Sequence, residues 1–297
     1  MNNPEKLKKA NELLSKANKK MKQRFNWFSN KYEDALLMLT EAINSFKMVK
    51  DWSQVGRIYQ LIGDCHSQLG DKYKAATAYV QAFDFQNKEE NEEENSTYCI
   101  ENAIKLYHDI GNFNRIARCH EKCAIFYEKN RNFKKAVENY KKAAEYFFCE
   151  NMPNQSSKCS LNAANLCANI EEYIEAINIY EEQATICLNN NVLKWNTKEY
   201  FLKAGICYLC LDDLVGAQRA IEKYIELDFT FKKQRECRFL KQLMHVYKTD
   251  DSDLFTRYVR EYDSISTLDA WKTHLLLKIK KNIKNSCIDN QQSDDIC

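Results

Sequence analysis

Proline and glycine are scarce in this sequence, with 2 Pro and 6 Gly among 297 residues. Tight turns between β-strands depend on these two residue types, so a protein built from many short strands and hairpins is excluded. Residues that favour helices, chiefly Ala, Leu, Lys, Glu and Gln, are plentiful instead. The composition therefore predicts an all-α protein.

An excess of one charge and long apolar runs are also lacking. Lys and Arg number 44 against 42 Asp and Glu, a formal net charge of +2, so no nucleic-acid partner is expected. No stretch approaches the ~18 consecutive apolar residues of a membrane span, and the first residues lack the apolar core of a signal peptide. The 13 Cys lie inside helical patterns. We therefore expect them to be the reduced, buried thiols of a cytosolic protein. We expect a cytoplasmic protein that contacts membranes only peripherally, at their cytosolic face.

Motifs for catalysis and nucleotide binding are absent as well. The sequence has no Gly-rich phosphate loop, no Gly-x-Ser-x-Gly and no His-Glu-x-x-His. Cys119-His120-x-x-Cys123 and Cys207-x-x-Cys210 have metal-like spacing, but residues three apart on a helix simply share a face, and neither pair has a second ligand pair. We expect no enzyme, cofactor or metal. An enzyme or metal site around Cys119, His120 and Cys123 is an alternative.

One motif, aromatic-x-x-Ala-x-x-x-aromatic or a close relative, recurs between Tyr32 and Tyr224. Its alanines are 41, 41, 19, 40 and 41 residues apart, and they are Ala35, Ala76, Ala117, Ala136, Ala176 and Ala217. A period of about 40 residues with one half step is typical of stacked helical hairpins. We predict a right-handed twisted solenoid of tetratricopeptide-like antiparallel helical hairpins over residues 1–240, a C-terminal helical cap over 241–285 and a flexible tail over 286–297. Arrays of this kind bind other macromolecules.

Three segments stand apart from the repeat. The N-terminal helix is basic, and Glu89, Glu90, Glu92, Glu93 and Glu94 form an acidic run that is typical of a solvated loop. Phe25, Trp27 and Phe28 lie within four residues, too close together for all three to face one core. An exposed apolar tip beside Lys and Arg predicts peripheral contact with a membrane. The alternative is that these aromatics pack the first two helices together.

Residues 261–283 have the pattern of an amphipathic helix near the C-terminus. Ser266 or Asp263 is placed to cap it. The predicted buried face consists of Leu268, Trp271, Leu275, Ile279 and Ile283.

This stretch closely resembles the C-terminal signature of the alpha-type soluble NSF attachment proteins. Further matching segments are residues 45–52, 175–181, 198–204 and 235–238, so the resemblance covers essentially the whole chain. It implies an adaptor that binds the assembled SNARE four-helix bundle, made of syntaxin-type and other SNAREs. The adaptor presents that bundle to the hexameric ATPase NSF for disassembly in vesicle transport and membrane fusion. Several copies are expected around one bundle.

The resemblance also implies site residues. Basic positions that match those facing the acidic SNARE bundle are Arg118, Lys158 and Lys198, with Lys194 and Lys203 as neighbours. Phe25, Trp27 and Phe28 match the loop that touches the bilayer. The acidic and apolar positions offered to NSF are Asp212, Asp213, Asp250, Asp251 and Asp253 near the cap, and Asp294, Asp295 and Ile296 in the tail.

A second class of function is a tetratricopeptide-type co-chaperone scaffold that grips peptide tails. It requires a concave groove with converging Lys and Asn side chains from successive repeats. It leaves the C-terminal signature and the aromatic segment without a role.

Overall fold

A computed structural model describes residues 3–23, 30–88, 93–249 and 251–294, with side chains for 5–23, 30–88, 95–249 and 251–283. These residues form fourteen α-helices and two short 3-10 helices, and they contain no strand. The predicted all-α class is therefore confirmed. Within the same residues, no helix combines the length and apolar character needed to cross a lipid bilayer.

The fourteen α-helices of the described residues follow in this order along the chain. The first seven are α1 (Asn3–Lys22), α2 (Lys31–Met48), α3 (Trp52–Gln68), α4 (Lys72–Gln86), α5 (Glu93–Asp109), α6 (Phe113–Lys129) and α7 (Phe133–Cys149). The rest are α8 (Pro153–Asn169), α9 (Tyr173–Leu188), α10 (Thr197–Cys210), α11 (Leu214–Leu227), α12 (Arg235–Thr249), α13 (Ser252–Ile265) and α14 (Ala270–Asp294). The 3-10 helices are Lys194–Asn196 and Phe229–Lys233.

The chain divides into two compact units, and the division falls inside α7. Unit 1 comprises Met1–Asn130 and Lys142–Pro153, and unit 2 comprises Arg131–Lys141 and Asn154–Cys297. In unit 2, α14 continues to Asp294, into the segment predicted as a tail. The boundaries expected at residues 240 and 285 stay predictions.

The repeated alanines are the points where neighbouring helices approach closely. All six are at most 1% exposed, and they lie on α2, α4, α6, α7, α9 and α11. The step of 19 residues joins α6 to α7, which are consecutive helices, whereas each longer step spans a whole hairpin. The irregular spacing is thus a change of phase in the order of the helices along the chain.

Most turns share one backbone geometry. A residue with positive φ ends one helix, and the residue after it precedes the next helix. Gly70 (φ 79) and Gly111 (φ 70) fill this position in two turns. In five other turns it is occupied by Lys50, Arg131, Asn151, Glu171 and Asp212. The following N–H donates to the carbonyl five residues earlier, as from Asp71 to His66 at 3.0 Å, which is a Schellman-type ending.

Each unit has its own core. In unit 1, Leu39 and Phe46 of α2 and Ile58 of α3 are buried, and Ala10 and Ala17 bring α1 against the same cluster. In unit 2, the rings of Phe201 and Tyr224 stack with centroids 4.1 Å apart, and Phe231 meets Phe201 edge-on at 5.2 Å.

Candidate partner-binding surfaces

Lys194 and Lys198 lie at the start of α10 and differ in their environments. Lys194, on the 3-10 helix before α10, is exposed. Lys198 Nζ lies 3.2 Å from a carboxylate oxygen of Glu236, whose side chain is only 6% exposed. Lys198 therefore neutralises a buried acid, and its removal leaves that charge without this partner.

Trp195 lies next to Lys194, and its side chain is 79% exposed. An exposed large aromatic among cations is typical of a binding surface. Reasoning from the sequence missed this residue. The available signal was a Trp in the polar connection between α9 and α10.

Lys203 points into unit 2 instead of into solvent. Its Nζ donates to Asn165 Oδ1 at 3.0 Å and lies over the rings of Trp271 and Tyr180, 4.8 and 5.6 Å from their centroids. Burial lowers the pKa of this ammonium group, although the nearby Glu199 and Asp269 carboxylates oppose the shift. Lys203 is thus held mainly by ring faces and an amide.

Lys203 and its partners join four helices. Tyr180 of α9 donates its hydroxyl to Asn165 Oδ1 of α8 at 2.8 Å, and Trp271 Nε1 of α14 donates to the Asn165 carbonyl at 3.2 Å. We call Asn165, Tyr180, Lys203 and Trp271 the Lys203 cluster. The cluster fixes the start of α14 to α8, α9 and α10. Trp271 was predicted only to lie on a buried face, and the hydrogen bond from its indole N–H is an additional, polar role.

A second cation, Lys272, lies beside this cluster and is only 7% exposed. Its Nζ is 2.5 Å from a Glu199 oxygen and 3.2 Å from an Asp269 oxygen. Burial alone would lower the pKa of Lys272, but the two carboxylates outweigh it and raise that pKa. Reasoning from the sequence did not predict this buried ion-pair site.

The predicted cap of the C-terminal helix was wrong. Residues 261–283 form the end of α13 and the start of α14, which begins at Ala270. Asp269 caps α14, because its Oδ1 accepts from Lys272 N at 2.7 Å. Asp263 instead accepts from Leu268 N at 2.8 Å within the connection. On the buried face, Leu275, Ile279 and Ile283 are fully buried as predicted.

Lys158 and Arg118 are exposed and belong to different units. Lys158 lies on α8 in unit 2, and Arg118 lies on α6 in unit 1. Arg118 Nε donates to Asn114 Oδ1, one turn earlier, at 2.9 Å. This contact orients the guanidinium group on its own helix.

The acidic positions predicted for NSF lie in two turns of unit 2. Asp212 and Asp213 form the α10–α11 turn, where Asp213 Oδ1 caps α11 by accepting from Gly216 N at 2.7 Å. Asp251 caps α13 by accepting from Leu254 N at 2.8 Å, and Asp253 is exposed in its first turn. Their carboxylates thus stabilise helix starts while remaining on the surface.

Carboxylates of two turns in unit 2 lie near side chains of α12 and α14. Burial is the main cause that raises the pKa of Tyr247 on α12 to about 12, and the nearby Asp212 carboxylate adds to the shift. Lys278 of α14 lies 2.5 Å from an oxygen of Glu171 in the α8–α9 turn. Glu171 is a further acidic turn residue that sequence reasoning missed.

The comparisons with known proteins agree along the chain. A profile described as soluble NSF attachment protein, SNAP, matches residues 8–284. The alpha-soluble NSF attachment protein of Mus musculus is 36% identical over 291 residues, which cover 96% of this chain and 98% of that protein. The chain belongs to the soluble NSF attachment protein family.

Two other relatives and one solved structure are also similar to this SNAP-family chain. The alpha-soluble NSF attachment protein of Dictyostelium discoideum is 38% identical over 280 residues, with 93% of this chain and 96% of that protein covered. The probable vesicular-fusion protein sec17 homolog of Schizosaccharomyces pombe is 34% identical over 258 residues, with 86% and 89% covered. The crystal structure of BtubC from P. vanneervenii has a TM-score of 0.43 and 13% identity, covering 79% of this chain and 94% of that one.

Several predicted SNAP-family site residues lie outside the described residues. These are Phe25, Trp27, Phe28, Asp250, Asp295 and Ile296. Asp294 is the last residue of α14, and its side chain is not described. The roles predicted for these positions stay predictions.

The cysteine pairs of this SNAP-family chain are packed as apolar groups. Burial raises the pKa of both Cys119 and Cys123 to about 12, and the His120 ring stacks on Tyr146 at 5.8 Å. Among the eleven cysteines whose side chains are described, only Cys149 is exposed. Protonated buried thiols are poor metal ligands.

Cys167, Glu172 and Glu175 also lie close together, with their ligand atoms within 4.8 Å of one another. Hydrogen bonding and an ion pair explain this group. Cys167 Sγ donates to Glu175 Oε2 at 3.6 Å, and Lys141 pairs with the other oxygen of Glu175. Burial raises the pKa of Cys167 to about 12, which keeps the thiol protonated.

Proposed function

We propose that this SNAP-family chain is an adaptor for the disassembly of SNARE complexes in vesicle-mediated transport and membrane fusion. It binds the assembled SNARE bundle, and it recruits the NSF ATPase and stimulates it. The observation that carries this proposal is the family match over residues 8–284, which includes the predicted basic positions and the acidic positions up to Asp253.

Attraction between basic side chains and the acidic SNARE bundle is the proposed mode of binding. Lys158 and Lys194 are exposed on unit 2, and Arg118 is exposed on unit 1. Exposed charges of this kind speed association and select partners more than they raise affinity. Binding should therefore weaken as salt screens them. Trp195 beside Lys194 adds apolar contact area.

The acidic turns of unit 2 are proposed to engage NSF. Asp212, Asp213, Asp251 and Asp253 are all exposed, so they can meet basic side chains of the ATPase. The C-terminal residues Asp294, Asp295 and Ile296 are proposed to act with them and to stimulate ATP hydrolysis. In this arrangement NSF supplies the chemistry, and the chain itself is not an enzyme and needs no cofactor.

Membrane contact completes the proposal. Phe25, Trp27 and Phe28 insert their rings into the bilayer interface from the cytosolic side, which makes the protein cytoplasmic and peripherally membrane-associated. Several copies surround one SNARE bundle, so that weak contacts from each copy combine.

Disassembly of a purified SNARE complex by NSF and ATP, with and without the full chain, tests the adaptor role. Disassembly that requires the chain is the expected result. A parallel reaction with an authentic SNAP controls for active NSF. If that control disassembles the complex and this chain does not, the adaptor function is contradicted for these SNAREs.

A further inference from the structure

The outward face of α1 carries a stripe of lysines. Lys8, Lys19 and Lys22 are exposed, and their spacings of 11 and 3 residues put them on one side of a helix with 3.6 residues per turn. At 1.5 Å per residue the stripe is about 21 Å long. We call these three residues the lysine stripe. It lies opposite Ala10 and Ala17, which are buried.

Two other lysines of α1 already have acidic partners in unit 1. Lys9 Nζ lies 2.6 Å from a Glu41 oxygen, and Lys20 Nζ lies 2.6 Å from an Asp34 oxygen, both on α2. Within the described part of the chain, the lysines of the stripe have no such acidic partner. Their charges remain available to a ligand from outside.

A shallow groove of about 320 Å³ runs beside the stripe and supplies further donors. It is lined by Asn11, Leu14, Ser15, Asn18, Lys19 and Lys22. The Asn11 amide already donates to the Leu7 carbonyl at 3.1 Å. The Ser15 hydroxyl, the Asn18 amide and two ammonium groups are left facing the groove. This set of donors suits the oxygens of phosphate and carboxylate groups.

The position of the stripe in the chain favours a membrane over an acidic protein. Lys22 precedes by a few residues the segment that contains Phe25, Trp27 and Phe28, for which membrane contact is proposed above. Seven lysines and two glutamates lie on α1, so the helix is attracted to an anionic leaflet as a whole. A helix with its cations along one side can lie flat against a surface of headgroups.

We propose that Lys8, Lys19 and Lys22 bind the headgroups of anionic phospholipids, so that α1 lies along the membrane surface. The inference rests on the proposed membrane contact and adds to it a lipid class and a second set of residues. The aromatic segment supplies apolar insertion, and the lysine stripe supplies selectivity for anionic lipid.

Vesicle flotation with the full-length chain tests the proposal. One set of vesicles is phosphatidylcholine alone, and the other contains phosphatidylserine as well. The variant Lys19→Gln/Lys22→Gln should bind the phosphatidylserine vesicles about 30-fold less tightly than wild type, since each lysine near such a surface contributes about fivefold. Its binding to phosphatidylcholine vesicles should be unchanged.

The matched control is Lys9→Gln/Lys20→Gln, which removes the same charge from the same helix. It should retain most of the phosphatidylserine-dependent binding. Equal losses in both double variants, or none in the stripe variant, would overturn the proposal. Thermal unfolding of each variant is measured as well, to check that a loss of binding does not come from unfolding.

Two further arms separate this inference from the proposed function. Phe25→Ser/Phe28→Ser should weaken binding to both kinds of vesicle; if it has no effect while the stripe variant loses binding, the aromatic contact fails and the lipid site stands. Binding of each variant to a soluble SNARE complex is measured in parallel. A stripe variant that loses SNARE binding but keeps vesicle binding would assign the surface to an acidic protein and overturn the lipid proposal.

Discussion

Lys203 shows how burial separates two cations that look alike in the sequence. Both Lys194 and Lys203 were predicted to contact SNAREs, but Lys194 is exposed and Lys203 lies over the Trp271 and Tyr180 rings. Burial lowers the pKa of Lys203, so its charge is stabilised less well there than in water. The contacts that compensate for this loss link α14 to three other helices. We therefore expect Lys203 to act mainly on the stability of the fold.

The variants Lys203→Met and Lys194→Glu should separate these two roles. Lys203→Met removes a hydrogen bond and two ring contacts, and should lower the free energy of unfolding by about 1–2 kcal/mol. The folded variant should still bind the SNARE complex. Lys194→Glu should leave the urea midpoint unchanged and weaken SNARE binding, most strongly at low salt. Normal stability combined with weak binding in Lys203→Met would place Lys203 on the binding surface instead.

The environments of these lysines could not be read from the sequence. Trp271 and Asn165 are separated by 106 positions in the chain, and helical periodicity says only which residues share a face of one helix. The carboxylate partner of Lys198, Glu236, is similarly remote. The positions of the cations could be predicted from the resemblance to the family. Which of them are exposed and which are held by other side chains depends on the packing of α8, α10, α12 and α14.

At the scale of single elements, the turns show what the alanine spacing could and could not predict. The repeat located the hairpins, and Gly70 marked one helix end. In five other turns the same backbone is formed by residues with side chains, such as Lys50 and Arg131. Non-glycine residues pay about 1–2 kcal/mol to adopt this conformation, so residue type alone does not identify them. The geometry is imposed by the packing of the helices on either side.

Gly70→Ala and Arg131→Gly should therefore have opposite effects. A Cβ at Gly70 meets nothing within 4 Å, so alanine there is opposed only by the positive φ and should lower the free energy of unfolding by about 1 kcal/mol. Arg131→Gly relieves the backbone strain at φ 58, and the greater flexibility of the unfolded chain offsets part of that gain. The variant should therefore raise the free energy of unfolding by about 0.5 kcal/mol. Urea denaturation measures both, and a stabilised Gly70→Ala would contradict this account of the turns.

At the scale of the whole molecule, the proposed function depends on separate groups of residues: cations in both units, acidic turns in unit 2 and residues at each end of the chain. Recognition of the family needed only local segments, such as residues 261–283. The same segment misled the prediction of its own secondary structure, because the Asp269 cap and the break after Ile265 depend on contacts with Lys272 and Leu268. Sequence similarity therefore identified the protein class more securely than it located individual helix ends.

The C-terminal residues offer the sharpest separation of binding from stimulation. Ile296→Ala removes the apolar side chain proposed to engage NSF, and no SNARE contact is proposed for this end of the chain. We expect unchanged SNARE binding and slower disassembly, with weaker stimulation of ATP hydrolysis by NSF. Ile265→Ala is the matched control, because it makes the same substitution at an isoleucine that is 64% exposed at the end of α13. A normal disassembly rate for Ile296→Ala, or equal slowing in both variants, would show that the tail of this chain does not stimulate NSF through Ile296.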